Sequence, residues 1–244
     1  MRPKPTTAMM TATTVPKSMP SIEAAGGIIV ARELTDLSYA RFLQPFTGEL
    51  SYDGDYTEVH LDGDEFDRAT ANGSRFSESA MTSVTFTGAT FDRARLDDVW
   101  ISRSRWIGGT WGEAQLLGVT LLDSVLAGVQ AYGSHWRRVV VQDCKIDSLN
   151  LRGANLRDVE FRDCDLTEVD FGDATLTDVT FPGSALRRAR FTKAVVKKLD
   201  LRGTRELDVA QGWDALRGAI ISVDQLAEAA PALAQTLGIV VRDR

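Results

Sequence analysis

The stretch Leu151-Arg152-Gly153-Ala154-Asn155-Leu156-Arg157-Asp158-Val159-Glu160-Phe161-Arg162-Asp163-Cys164-Asp165-Leu166 places a large apolar residue at every fifth position. A small residue (Ala154, Val159, Cys164) stands two places before each of the later ones. Worked outward, the register holds without a break from Leu61 to Leu201, 29 positions in succession. The companion position runs from Val59 to Leu199, and only Asp64, Leu149 and Leu199 depart from Ala, Ser, Cys, Gly or Val. A period of five fits neither a helix, whose apolar face recurs at about 3.6 residues, nor a strand, whose faces alternate every 2. It fits a chain that turns a corner after each short straight side, with two inward residues per side. Four such sides make a coil of about 20 residues, and successive coils stack as parallel strands. Glycine agrees: Gly63, Gly73, Gly88, Gly108, Gly118, Gly128, Gly133, Gly153, Gly183 and Gly203 all lie two residues after the large position, where a corner needs a permissive backbone.

Ala154-Asn155-Leu156-Arg157-Asp158 and Cys164-Asp165-Leu166-Thr167-Glu168 match the motif A(D/N)LXX, and over residues 59–203 the chain resembles the pentapeptide-repeat family. Right-handedness and a square cross-section are what that resemblance implies. The expected fold is therefore all-β: a right-handed quadrilateral parallel β-helix of about seven 20-residue coils with a small α-helical C-terminal cap. Trp106, Trp111 and Trp136 fall at inward positions, where small neighbours such as Ala131 leave room.

Four segments follow. Residues 1–27, rich in Thr, Pro, Met, Ala and Ser without periodicity, read as a disordered tail. Residues 28–58 read as a lead-in and cap, with Leu34, Leu37, Phe42, Leu43 and Phe46 over the open end of the first coil. Residues 59–204 form the β-helix and 205–244 the C-terminal cap. In that cap Trp213-Asp214-Ala215-Leu216-Arg217-Gly218 reads as a short helical turn. Ser222 and Gln225 make a capping box, and Val223, Leu226, Ala230, Leu233 and Leu237 share one helical face that ends at Gly238. That face must bury against the last coil or against a second copy of itself, making a homodimer. Ile239-Val240-Val241 reads as a brief terminal strand.

The chain has 244 residues and a net charge of −6, ordinary for a soluble protein, so no direct nucleic-acid binding is expected. No apolar run is long enough to span a membrane, and the N-terminus lacks the apolar core of a secretory signal, so the expected location is cytoplasmic. Cys144 and Cys164, 20 residues apart, stack on adjacent coils and read as buried thiols filling small core positions. His60 and His135 point outward on different sides. No nucleophile elbow, phosphate loop or metal-spaced Cys/His set appears, so neither an enzyme nor a cofactor is expected.

Three surfaces are the candidates for binding. Trp100, Leu122 and Val140 point outward on one side in neighbouring coils, an apolar patch suited to a protein partner. Asp163, Asp165, Glu168 and Asp170 belong to an acidic run from Asp158 to Asp178, followed by a basic collar from Arg187 to Arg202. The C-terminal helix supplies the third. Within the family resemblance, the cap is similar to those of bacterial members that include duplex-DNA mimics binding DNA gyrase. A rod of about 34 Å would need about 20 uncompensated negative charges to match DNA. Residues 59–203 carry 21 acidic and 19 basic side chains, a net of −2. A non-catalytic scaffold for an unidentified protein partner is therefore the preferred reading, with a gyrase-binding DNA mimic as the alternative.

Overall fold

The computed structural model describes residues 30–242, so the tail expected over 1–27 lies outside the described residues. The chain winds into a parallel β-helix of about eight turns with a C-terminal helix. Short strands repeat at intervals of 20 and pair only with their counterparts one coil away, as in Ala80↔Trp100, Thr120↔Val140 and Val140↔Glu160. One pairing series has 13 strands and another has 8, and isolated bridges from Thr70 through Asp170 to Arg190 line the side between them. The stack reaches past both ends of the periodic run, which raises the coil count above seven. Gln44–Pro45 pairs with Val59 and His60, and Tyr56 lies beside Phe76. At the other end the pentad fails at Glu206, and the coil inserts one residue so that Leu207 takes the place opposite Leu186.

Every large inward position from Ala71 to Phe191 is buried. Because the coils share one register, like residues fall on like. Phe86 stacks on Phe66 at 5.1 Å and on Trp106 at 4.0 Å, Phe161 on Phe181 at 5.1 Å, and Phe171 on Phe191 at 5.0 Å. Trp106, Trp111 and Trp136 are buried among them, and the strands of Trp106 and Trp136, like the bridges of Thr110 beside Trp111, keep the regular register. Stacked flat side chains fill a tube that is too narrow to hold side chains from both walls at arbitrary heights.

The small inward position does more than leave room. On the side that carries Phe86 and Trp106 it forms a polar column: the amide of Val84 donates to Ser104 Oγ (3.2 Å), that of Ser104 to Ser124 Oγ (3.0 Å), that of Ser124 to Cys144 Sγ (3.4 Å) and that of Cys164 to Ser184 Oγ (2.9 Å). Each hydroxyl or thiol in turn donates to a main-chain carbonyl, Ser124 to Leu122 at 2.6 Å and Cys144 to Gln142 at 3.2 Å. The two cysteines are free and buried, standing in for serine in this column. The hydrogen bond with Cys164, together with burial, pushes the Cys144 thiol well above the ordinary cysteine range, which keeps it protonated and unreactive.

The corners depart most from expectation. Every one from Asp53 to Lys198 has a left-handed backbone, and twenty-one of them are not glycine. Gly203, counted with the corner glycines, is not left-handed. A left-handed L-residue costs roughly 1–2 kcal/mol. The corner amide offsets it by donating to a carbonyl on the next coil, as Arg68 does to Thr87 (2.7 Å) and Asp163 to Pro182 (2.9 Å).

The segment expected to cap the first coil divides in two. Phe46 does so, packing edge-on to Tyr56 and Phe66. Leu34, Leu37 and Leu43 lie elsewhere, on an outer face of the helix, and Phe42 is exposed.

Candidate interaction surfaces

Trp100, Leu122 and Val140 do share one side, but they form no open patch: they are 2%, 3% and 1% exposed. Ala80, Trp100 and Leu122 make a second apolar cluster, separate from the core, with Val30, Ala31, Leu34, Leu37 and Leu43 packed against it. Trp100 Nε1 donates to the carbonyl of Ala31 at 2.9 Å. The expectation of a free apolar docking surface is therefore corrected: an outward tryptophan must lose its water somehow, and the chain's own N-terminal segment covers it. The same side also holds Arg162 close to Glu160 (2.6 Å), a pair that is mostly buried rather than a solvated charge.

The acidic run is not open negative charge either. Asp165 pairs with Arg187 (3.1 Å) and with Arg205, Glu168 with Arg188 (2.9 Å), and Asp170 with Arg152 (3.4 Å). Beyond these four candidates, Asp178 pairs with Lys198 (3.3 Å) and Asp173 with Arg152. Asp163 sits at a left-handed corner and has no ion pair among the described residues. The coil period makes these pairs. Residues 168 and 188, or 178 and 198, stand one above the other, so the basic collar rests on the acidic coil below it. At Asp165 partial burial works to raise the carboxyl pKa, but the hydrogen bond from Arg187 and the charges of Arg205 and Arg187 outweigh it and hold it below its ordinary value.

The C-terminal cap follows the sequence closely until its end. A 3₁₀ turn spans Trp213–Leu216 and the α-helix spans Val223–Thr236. Its capping box is complete: the Gln225 amide donates to Ser222 Oγ (3.2 Å) and the Ser222 amide to Gln225 Oε1 (2.8 Å). Pro231 lies inside the helix without ending it. The residues that seat the helix are Gln225 and Ala229, not the apolar stripe. Val223, Leu226, Ala230 and Leu237 are exposed and Leu233 is half-buried; Val223 and Leu237 are 82% and 73% open. Ile239-Val240-Val241 forms no strand; the Ile239 amide returns to the carbonyl of Ala234 (2.8 Å), and all three side chains are exposed. The last coil therefore leaves most of that stripe uncovered.

Among the described residues no cluster of His, Cys, Asp or Glu could hold a metal ion, and no helix is long and apolar enough to cross a membrane. His60 is hydrogen-bonded to Thr82 Oγ1 (2.8 Å), whereas His135 is exposed on another side.

This geometry defines a class, the quadrilateral parallel β-helix built from five-residue units. Its units are recognised as such: the family described as "Pentapeptide repeat region" matches residues 123–191, and "Pentapeptide repeats (9 copies)" matches residues 56–100. The chain belongs to the pentapeptide-repeat family. No curated protein matches the sequence. Similar solved structures include a trypsin-treated form of QnrB1, a plasmid-mediated fluoroquinolone resistance protein, at 16% identity, covering 78% of this chain and 100% of that one with a TM-score of 0.37. HetL, a pentapeptide-repeat protein involved in heterocyst differentiation regulation from the cyanobacterium Nostoc, is 18% identical over 71% of this chain and 92% of its own, with a TM-score of 0.28. The fold and the family rest on the coil pairing and the repeat matches, not on these distant likenesses.

Proposed function

We propose that the protein is a non-catalytic, cytoplasmic interaction scaffold that pairs with a second copy of itself through its C-terminal cap and presents the rod to a protein partner. The observation that carries this reading is the apolar stripe Val223, Leu226 and Leu237, turned away from the last coil it was free to cover. A second copy is the occupant it suits. The stripe stands at the end of a rod, and a two-fold axis there lays each residue of one stripe against the other without obstructing the rods. Two such faces hide from water what neither can hide alone. The alternative of a DNA mimic acting on gyrase draws less support. Its strongest acidic coil is compensated by ion pairs to the coils above and below, and matched negative charge is what such mimicry requires.

Sedimentation of the full chain from low to high micromolar concentration tests the pairing. A dimer is expected, and Leu226→Glu with Leu237→Glu should convert it to a folded monomer. A wild-type monomer at high micromolar concentration overturns it. The purified protein is expected to leave gyrase supercoiling unchanged; strong, salt-sensitive inhibition would favour the mimic instead.

A further inference from the structure

The segment over Trp100 differs from everything else in the fold. Residues 30–43 contain only two short 3₁₀ turns, Leu34–Asp36 and Ala40–Phe42. They join the β-helix only at Gln44–Pro45, where strand pairing begins. Before that point the described polar contacts to the coils are few: the Trp100 bond to Ala31, a long contact from Tyr39 Oη to the Ser79 carbonyl (3.5 Å), and an exposed ion pair between Arg32 and Asp143 (3.6 Å). The apolar cluster that the segment completes shares no residue with the core of the tube, so the tube does not need the segment to be filled.

The face beneath it has its own charge pattern. The corners on one edge are Glu58, Glu78 and Asp98, and those on the other include Asp123 and Asp143. Arg103 and Arg138 are the basic exceptions. Among the described residues, Asp143 alone of these five carboxylates has an ion pair, and its partner is the segment's Arg32. Burial, reinforced by the negative charges of Asp98 and Glu78, pushes the Tyr39 hydroxyl well above the ordinary tyrosine range. An apolar strip with a tryptophan donor at its centre and acidic edges suits an extended chain that offers aliphatic side chains, a free carbonyl and a cation.

We propose that this face is a peptide-docking surface: residues 30–43 occupy it in cis, and an extended partner segment bearing aliphatic side chains beside an arginine takes their place. The tether at Gln44 gives the cis segment an effective concentration of about millimolar, so the face is closed until that segment is displaced or a stronger one arrives. The surface is independent of the C-terminal pairing, which lies beyond the last coil.

The test uses the full chain and a fluorescein-labelled synthetic peptide of residues 30–46. Wild-type protein should give little anisotropy change. The full-length double variant Leu34→Asp/Leu37→Asp should bind the peptide saturably, at least about tenfold tighter than wild type, since its own segment no longer competes. Adding Asp143→Asn or Trp100→Phe to that variant should weaken binding several-fold, the first through the lost charge and the second through the lost donor. Absence of binding to a double variant whose circular dichroism and unfolding midpoint match wild type would overturn the proposal. So would loss of β-structure in the double variant, which would make the segment part of the fold. A double variant that assembles beyond the wild-type oligomeric state and excludes the peptide would assign the face to a second copy, and that also overturns it.

Discussion

Gln225 Nε2 donates to the main-chain carbonyl of Leu201 at 2.8 Å and to Thr204 Oγ1 at 2.7 Å, across the boundary between the last regular coil and the C-terminal helix. The same side chain's Oε1 accepts from the Ser222 amide, so one buried residue closes the helix start and fastens it to the solenoid. The Leu201 carbonyl also accepts from the Thr204 amide (3.0 Å) and from Thr204 Oγ1 (2.8 Å), so Gln225 completes a polar knot on the final rung that an apolar lid could not join.

Gln225→Glu tests that role with almost no change of shape. The carboxylate keeps an acceptor for Ser222 but sets an oxygen against the Leu201 carbonyl and leaves both buried. A loss of about 2 kcal/mol is expected in urea unfolding. A variant within about 0.5 kcal/mol of wild type would show that the helix is held by something else.

Adjacent glycines separate backbone strain from overlap. Gly108 is a left-handed corner (φ 65°) with open space where a methyl would project, and twenty-one other corners tolerate side chains, so Gly108→Ala should cost about 1 kcal/mol. Gly109 (φ 83°) occupies a small inward position, where a methyl would overlap the Ala89 carbonyl oxygen and crowd its main chain. Gly109→Ala should cost more than about 3 kcal/mol, or misfold the coil. Equal melting temperatures for the two variants would contradict the assignment of inside and corner.

Acid should loosen the C-terminal coils. Asp165 is held below its usual pKa as described, and Asp200 is lowered chiefly by its hydrogen bond from Arg202. A carboxylate with a depressed folded pKa contributes stability above its unfolded pKa of about 3.9, and that contribution is lost as the pH falls through the folded value. Both groups are partly open to water, so the effect is modest. Thermal midpoints should be flat from about pH 5 to 8 and fall below about pH 4. Asp165→Asn/Asp200→Asn should lower the midpoint at neutral pH and flatten the acid limb. An unchanged acid limb would place the responsible carboxylates elsewhere.

How much could be read beforehand depended on how far each feature lies from the repeat. The inward residues were legible because a five-residue period admits one architecture. The ion pairs were nearly so: Glu168 with Arg188 and Asp178 with Lys198 stand one 20-residue coil apart, yet a count of charge along the chain kept the acidic and basic runs separate. The left-handed corners at Arg68, Glu78 or Lys198 were hidden, because residue type signals strain poorly where a main-chain hydrogen bond to the next coil compensates it.

The amino-acid order alone determined the coil, its filling and the capped C-terminal helix, since each follows from local periodicity and short-range hydrogen bonding. Tertiary structure alone decided which apolar surface meets water. Ala31 reaches Trp100 across 69 positions in the sequence, with no repeat to set its register. The helix turned Gln225 toward Leu201 and left Leu226 outside because a buried side-chain amide must keep its hydrogen-bond partners at Leu201 and Thr204, whereas the stripe is one that a second molecule can cover.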